Sequence, residues 1–412
     1  MAWTLEPITF EPTLPPVEEP KAAPARSTQQ DRLVFADAFR AVAILGVVAS
    51  HLALVSGLRL FGQRDDLAYV GAWGVNCFFV LSGFLLSRPY LEAILGTRPL
   101  PSTRLFLTRR FLRIYPLYAL AVIVSAVAAY THRPHRLPVD AVVSHLTFLH
   151  GFAPNEIFTL NGPLWTMAVD AQFYLLLPLG AFALAALARR SGNGSGVKLI
   201  AGAIGAAIVL SIALRWFVFA HYSLSLTHNP IGPAFVLARN AIGMGTAFAL
   251  GIAIALVVLL GRQPNRLVAS VIALTGIACF VLLAWAGRTY PDSDAYGVLY
   301  DALGAISGAL ILYGFAEGAF NVIGLVRRSR VIAAIAAMAY AVYLFHYLVI
   351  DTVLGLIGKR IHWIPGSPAY VIGLSIPTLL ATFAVAYVAH RYVEKPFLAM
   401  RDRKREPATQ PT

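Results

Sequence analysis

The sequence is a succession of apolar stretches, each about as long as a helix that crosses a lipid bilayer. Such a helix needs about 20 apolar residues to span about 30 Å of hydrocarbon, and no stretch here alternates with period two as barrel strands do. We place ten segments at 36–58, 70–88, 111–130, 164–188, 198–219, 234–260, 266–287, 297–319, 331–357 and 370–393. The sequence therefore predicts an all-α membrane protein, a polytopic bundle of about ten transmembrane helices.

The composition excludes most soluble classes of protein. Hydrophobic residues make up 58% of the chain and charged residues 13%, against about 45–50% and about 25% in soluble domains. A soluble enzyme and a nucleic-acid-binding protein are both excluded on this ground. The two cysteines, Cys77 and Cys279, lie inside apolar segments, so neither a disulfide framework nor a metal site is expected.

The two ends of the chain differ from its middle. Residues 1–30 are rich in Pro, Glu, Ala and Thr and contain no apolar run, which is typical of a disordered tail. Residues 398–412 form a short basic tail. The membrane domain is therefore predicted over 31–397.

Basic residues indicate how the bundle is oriented. Clusters of Arg and Lys in 88–110, 189–198, 262–266, 327–330 and 401–405 all fall on one side when ten helices are counted. Loops on the cytoplasmic side of a membrane carry such an excess, so both termini are predicted to be cytoplasmic. Arg133, Arg136, Lys359 and Arg360 are exceptions. The net charge of +13 is thus interpreted as a topology signal, and no nucleic-acid partner is expected.

Three ionisable residues lie well inside predicted spans: His51, Asp170 and His346. Such residues are costly in a membrane and mark functional sites. Their predicted depths are similar, which suggests one shared polar site near the outer half of the bundle. Arg215 and Arg239 lie nearer to segment ends, where a long side chain reaches water, and we expect them to do so; a role in lining the site is the alternative.

Cations also lie near the predicted cytoplasmic side. Arg40 and His51 are 11 residues apart, about three turns and roughly 16 Å on one helix face. A ligand with an anionic head and a reactive tail, such as acyl-CoA, fits this spacing. Arg109, Arg110 and Arg113 can bind phosphate groups in a bidentate way, although a purely topological role for these three remains open.

Six motifs in order give the chain a family resemblance. They are Phe39–Ala43 followed by His51, Phe78–Phe84, Arg109–Pro116, Pro163–Tyr174, Tyr343–Tyr347 and Tyr392–Phe397. The chain resembles the acyltransferase 3 family of membrane acyltransferases, which modify sugars and related hydroxyl acceptors at bacterial surfaces. The resemblance implies a domain of ten or eleven helices in the bacterial plasma membrane. It also implies an acyl group, often acetyl, taken from cytoplasmic acyl-CoA, with no permanently bound cofactor.

The resemblance also assigns roles to residues. It implies that His51 is catalytic, that Arg110 and Arg113 form the arginine pair of the family, and that Asp170 is its acidic residue. The family usually has Gly where this chain has Ala41, and Glu where it has Asp170. We predict that His51 is the general base, that Asp170 accepts a hydrogen bond from its other ring nitrogen, and that Arg40, Arg109, Arg110 and Arg113 serve the CoA phosphates.

Other residues of the motifs have two interpretations each. His346 and Tyr343 belong either to an acceptor site or to an interfacial aromatic patch. Tyr174 either lines the cavity or packs. Trp165 is more typical of an interfacial anchor than of a sugar-binding platform.

Two further motif pairs have simpler interpretations. Ser82 and Gly83 fit a close helix contact better than a nucleophile. Glu394 and Lys395 fit an ion pair or a helix cap.

Two other classes of function were weighed. A proton-coupled transporter or flippase could use His51, Asp170 and His346 as a relay, and a scaffold would need no chemistry. The cytoplasmic arginines favour acyl transfer to a sugar-containing or similar hydroxyl acceptor.

Short external loops favour a small or lipid-linked acceptor. Some relatives carry a further hydrolase-like domain, which is not found here, so transfer is expected to be completed in the membrane domain or by a separate glycan-processing protein.

Overall fold

The computed structural model is predominantly helical over the residues that it describes. These are 29–58, 68–132, 139–192, 194–222, 233–261, 263–289, 294–321, 329–357 and 366–403, and no strand occurs among them. Most of the two predicted tails lies outside these ranges. The helices are α1 Gln29–Ser56, α2 Ala68–Ile94, α3 Thr103–His132, α4 Val139–Leu146, α5 Trp165–Ser191, α6 Ser195–Tyr222, α7 Pro233–Ala238, α8 Gly245–Leu259, α9 Arg266–Thr289, α10 Asp294–Ala316, α11 Arg330–Ile357, α12 Pro368–Ala389 and α13 Lys395–Arg403.

The predicted membrane architecture is confirmed. In the described ranges, nine helical stretches are long and apolar enough to cross a membrane, and they coincide with nine of the ten predicted segments. The chain is a multi-pass membrane protein. The cytoplasmic location of the termini stays a prediction.

Two helices are longer than their apolar segments. The third begins at Thr103, eight residues before its predicted start at 111, so Arg109, Arg110 and Arg113 lie within α3. The last span passes from α12 through a π-helical turn, His390–Glu394, into α13. A π-turn inside a helix often marks a functional position.

The prediction of one continuous span over 234–260 is wrong. The chain leaves the helix between α7 and α8, where the Asn240 side-chain oxygen accepts hydrogen bonds from the N–H groups of Ile242 and Gly243, each at 2.9 Å. A Cβ at Gly243 would lie 2.2 Å from the Ala238 carbonyl oxygen. Asn and Gly thus break a stretch that hydropathy alone reads as one helix.

The α2 and α8 helices cross at two glycines that face each other. A Cβ at Gly83 would lie 2.3 Å from the Phe248 carbonyl oxygen, and a Cβ at Gly251 would lie 2.0 Å from the Val80 carbonyl oxygen. Small residues allow such close approach of helices in membranes. The helix-contact interpretation is confirmed for Gly83, whereas Ser82 lines a cavity.

The bundle contains two packing cores. One includes buried residues of α2, α5, α8 and α10, and the other includes residues of α1, α3, α11 and α12. Val75 and Phe78 of α2 pack against both cores. The seam between the cores holds the candidate site. We call the end of the bundle that carries Arg98, Arg189 and Arg330 the basic end, and the opposite end, where Val139–Leu146 lies, the α4 end.

Candidate active site

Two of the three predicted ionisable residues are in contact. Nε2 of His346 in α11 lies 3.2 Å from Nδ1 of His51 in α1, and the edge of Tyr347 meets the His51 ring with centroids 5.3 Å apart. His346 is fully buried, whereas His51 is partly exposed. The helices α1 and α11 therefore bring together two imidazoles from positions 295 residues apart.

The hydrogen bonds fix the tautomers of this pair. Nδ1 of His51 lies 2.9 Å from the Val47 carbonyl oxygen, and Nδ1 of His346 lies 2.7 Å from the Tyr343 carbonyl oxygen. Carbonyl oxygens only accept hydrogen bonds, so both Nδ1 atoms carry hydrogen. Nε2 of His346 then accepts a second bond from the His51 Nδ1–H. The lone pair of His51 is left on its Nε2.

The predicted hydrogen bond between His51 and Asp170 is wrong. Within the described ranges the His51 ring bonds to Val47 and His346, and Oδ1 of Asp170 is buried without a hydrogen-bond partner. Helix α11 places His346 next to Nδ1 of His51, the ring nitrogen that was expected to donate to the Asp170 carboxylate. Residue spacing along α1 and α5 does not contain this information, because it depends on how three helices pack.

Asp170 instead lines a cavity of about 160 Å³ with the predicted arginines. This seam cavity is bounded by α1, α2, α3, α5 and α11. Its ionisable or polar lining residues are Arg40, Ser82, Arg110, Arg113, Thr166, Asp170, Tyr174, Tyr340 and Tyr343. Among the residues that the structure describes, Nε of Arg110, like Oδ1 of Asp170, is buried and has no hydrogen-bond partner. Buried polar groups are nearly always satisfied, so these two atoms are able to bond to a ligand in the cavity.

Two of the cavity arginines are held by acidic residues toward the basic end. Arg40 pairs with Asp37, and Arg113 lies 3.3 Å from Glu394. Glu394 also accepts from His390, at 2.7 Å, so Glu394 does form an ion pair, but with Arg113 of α3 and not with the adjacent Lys395. A second cavity of about 370 Å³ continues from Arg40 and Arg113 toward the basic end. Arg109 lines neither cavity.

Tyr343 lies between the seam cavity and the histidine pair. Its hydroxyl is 2.7 Å from Thr166 Oγ1 and donates to the Pro163 carbonyl at 3.0 Å. Its ring centroid is 5.8 Å from that of His346. Tyr343 and Tyr174 thus both border the cavity, and the interpretation of Tyr343 as part of an interfacial patch is wrong because its side chain is buried.

Trp165 is neither at an interface nor exposed. It is 7% exposed, and its ring packs edge-on to Phe79 with centroids 6.3 Å apart. The guanidinium carbon of Arg239 lies 4.8 Å from the Trp165 ring centroid. The interpretation of Trp165 as an interfacial anchor is therefore wrong.

A second buried charge cluster was missed by the sequence analysis. Arg215 is 4% exposed and forms an ion pair with Asp301 at 2.7 Å, so the prediction that it reaches water is wrong. Asn76 donates to the other carboxylate oxygen of Asp301 at 3.0 Å. The sequence did contain a signal for this cluster, because Asp301 is an ionisable residue inside the predicted span 297–319.

Two histidines stack on each other at the α4 end of the bundle. The rings of His145 and His150 are parallel within 7° with centroids 4.0 Å apart, and both residues are fully buried. Burial, with the neighbouring His150 ring, lowers the pKa of His145 to about 4. Burial also lowers the pKa of His150. The native structure therefore favours neutral rings.

Acidification should weaken this histidine stack. Since the pKa of His145 is lowered from 6.5 to about 4, the stabilisation is complete above about pH 6.5 and is lost as the pH falls toward 4. The shift corresponds to a contribution on the order of 3 kcal/mol. We expect the unfolding temperature of the wild type to fall more between pH 7 and pH 4.5 than that of a His145→Phe/His150→Phe variant, which keeps two rings but no titratable group. An equal fall in both proteins would contradict this role.

Comparison with known proteins gives matches along most of the chain. A family model described as an acyltransferase domain matches residues 33–387. The acyltransferase MdmB of Streptomyces mycarofaciens is 25% identical over 92% of this chain and 95% of its own length. The peptidoglycan O-acetyltransferase OatA of Listeria monocytogenes is 26% identical over 87% of this chain, which spans 55% of that relative. A putative O-acetyltransferase of Staphylococcus aureus is 23% identical over 88% of this chain and 56% of its own length. No solved structure matches significantly.

Proposed function

Because this chain belongs to the acyltransferase 3 family of membrane O-acyltransferases, we propose that it transfers an acyl group from acyl-CoA to a hydroxyl of a sugar-containing or similar acceptor. The observation that carries the proposal is the contact between His51 and His346, which leaves the lone pair of His51 on Nε2. An unprotonated imidazole with a pKa ordinarily near 6.5 is a suitable general base at neutral pH.

In the proposed step, Nε2 of His51 takes the proton of the acceptor hydroxyl while the oxygen attacks the thioester carbonyl. A carbon–oxygen bond forms and the carbon–sulfur bond breaks. The proton then passes from His51 to the CoA thiolate, so the products are an ester and free CoA. Positive charge on the His51 ring is stabilised by the two acceptors of its Nδ1–H, the Val47 carbonyl and Nε2 of His346.

The donor enters from the basic end, which the charge distribution predicts to be cytoplasmic. Arg40 and Arg113, shared by both cavities, and Arg110 bind the phosphate groups. Their acidic partners fix Arg40 and Arg113 in place before the ligand arrives, which lowers the entropic cost of binding. Arg109 contributes to the positive potential of this end without lining the cavities.

Asp170 and Tyr174 bind the acyl-CoA donor in this proposal. They lie one turn apart on α5 and both border the seam cavity. The pantetheine arm of CoA carries two amide N–H groups, and the unpartnered Oδ1 of Asp170 is an acceptor for one of them. Asp170 is therefore assigned to binding of the donor and His346 to positioning of the base.

The acceptor is proposed from chemistry and from the relatives. One relative is named for O-acetylation of peptidoglycan, and we propose a carbohydrate hydroxyl for this chain as well, with acetyl as the acyl group. The acceptor approaches from the α4 end, where His51 lies near the end of α1. The enzyme would act in the bacterial plasma membrane, among lipids, with a separate glycan-processing protein as a partner.

The test uses the purified full chain in lipid nanodiscs with acetyl-CoA. A lipid and glycan extract from bacterial envelopes serves as the acceptor pool. We expect free CoA thiol to appear only with the extract, and one acetyl ester per thiol to be found by mass spectrometry. Intact acetyl-CoA together with proton-coupled movement of a sugar into vesicles would contradict the proposal and support the transporter.

A further inference from the structure

The break between α7 and α8 takes backbone N–H groups out of the helical pattern, and side chains bond to them instead. Besides Asn240, which caps the turn, Gln172 of α5 accepts a hydrogen bond from the Ala241 N–H at 2.9 Å. Nonhelical backbone at membrane depth is tolerated where protein surrounds it or where it lines a cavity. Interrupted helices of this kind form substrate sites in other membrane proteins.

Arg239 begins this break and is held between two aromatic rings. Its guanidinium carbon is 4.8 Å from the ring centroid of Trp165 and 4.5 Å from that of Phe235. Both rings are buried. A guanidinium over an aromatic ring face is held by the ring quadrupole, and within the described ranges its N–H groups make no hydrogen bond to another side chain, so they can donate to a ligand.

The charge of Arg239 is not matched by an ion pair within the described ranges. The nearby carboxylate of Asp301 is already engaged by Arg215 at 2.7 Å and by Asn76 at 3.0 Å. Arg215 in turn donates to the Val298 carbonyl at 3.1 Å. Arg215 and Arg239 thus share one carboxylate, and such a buried excess of positive charge is costly unless it serves a ligand.

A short series of contacts joins Arg239 to the proposed base. Arg239 stacks on Trp165, and the next residue, Thr166, is hydrogen-bonded to Tyr343. The Tyr343 ring in turn lies beside His346. Phe235, the other ring on Arg239, packs against Phe158 of the loop that follows α4, with centroids 5.0 Å apart.

We propose that Arg239 binds an anionic group, a carboxylate or a phosphate, on the acyl acceptor. A planar guanidinium matches both anions in a bidentate way. This inference rests on the proposed function, because the anion would hold the acceptor while its hydroxyl reaches His51. It places the acceptor toward the α4 end and the donor toward the basic end, so the two substrates enter from opposite sides.

The test measures binding, so that it does not depend on acyl transfer. The full chain in nanodiscs is titrated with glucuronate, with glucose 1-phosphate and with neutral glucose at constant ionic strength, and the unfolding temperature reports binding. We expect one or both anionic sugars to stabilise the wild type more than glucose does. The two anionic probes distinguish a carboxylate site from a phosphate site.

Three variants decide the outcome. Arg239→Gln should weaken binding of the anionic sugar about 10- to 100-fold, as expected for a lost charged hydrogen bond, and Arg239→Lys should weaken it less. Arg110→Gln should lose stabilisation by CoA but keep that by the anionic sugar, which separates this inference from the donor site. Equal binding of the anionic and neutral sugars by the wild type, or unchanged binding by Arg239→Gln, would overturn the inference.

Discussion

His51→Ala is expected to reduce the rate of acyl transfer by about 10²- to 10⁴-fold, the range that a positioned general base contributes. Binding of acyl-CoA should be retained, because the arginines of the two cavities are unchanged. The measurement is the release of CoA thiol by the purified variant, together with its affinity for CoA. Transfer at the wild-type rate would show that another group removes the proton.

His346 variants test how the base is positioned. His346→Phe keeps a ring but removes one of the two acceptors of the His51 Nδ1–H, and we expect a lower kcat with a shifted pH profile. His346→Gln offers a side-chain oxygen in place of Nε2 and should recover part of the rate. Asp170→Asn is the matched comparison, and it should raise KM for acyl-CoA without moving the pH profile of kcat. A pH profile that moves with Asp170 and not with His346 would restore the carboxylate as the partner of His51.

Asp301→Leu is expected to cost about 3–5 kcal/mol of stability, because it leaves the buried guanidinium of Arg215 without its carboxylate. This loss is a large share of the stability of a folded protein, so the variant should be poorly folded in membranes. Its yield and unfolding temperature in nanodiscs measure the effect.

Two control variants test whether the loss of stability in Asp301→Leu comes from the broken ion pair. Arg215→Met/Asp301→Leu removes both charges and should regain much of the stability. Asp37→Asn breaks the more exposed pair with Arg40, whose partner carboxylate is 57% exposed, and should cost less than about 1 kcal/mol. A double variant no more stable than Asp301→Leu would show that the ion pair is not the reason for the loss.

The helical architecture follows from the sequence because each span is a local property. Apolar length alone located nine of the spans, although α2, α3 and the last span extend six, eight and ten residues beyond their predicted apolar parts. The break after Ala238 was missed because hydropathy averages over Asn240 and Gly243, whose side-chain hydrogen bond and small size end the helix.

The partner of His51 could not be predicted in the same way. His51, Asp170 and His346 were expected at similar depth, and depth is a property of one helix at a time. Which two side chains meet depends on the rotation and neighbours of α1, α5 and α11, and these are properties of the packed bundle. Sequence therefore identified the ionisable groups, and only the fold showed that the two imidazoles form the pair.

The most direct test of this account is an experimental structure of the chain with acetonyl-CoA, a ketone analogue that cannot transfer its acyl-like group. We predict its phosphates beside Arg40, Arg110 and Arg113, and its ketone carbon on the Nε2 side of His51 with His346 still bonded to Nδ1. The account would be contradicted by a ketone group bound at Asp170 and separated from His51 by packed side chains. Phosphates bound at the α4 end would contradict it as well.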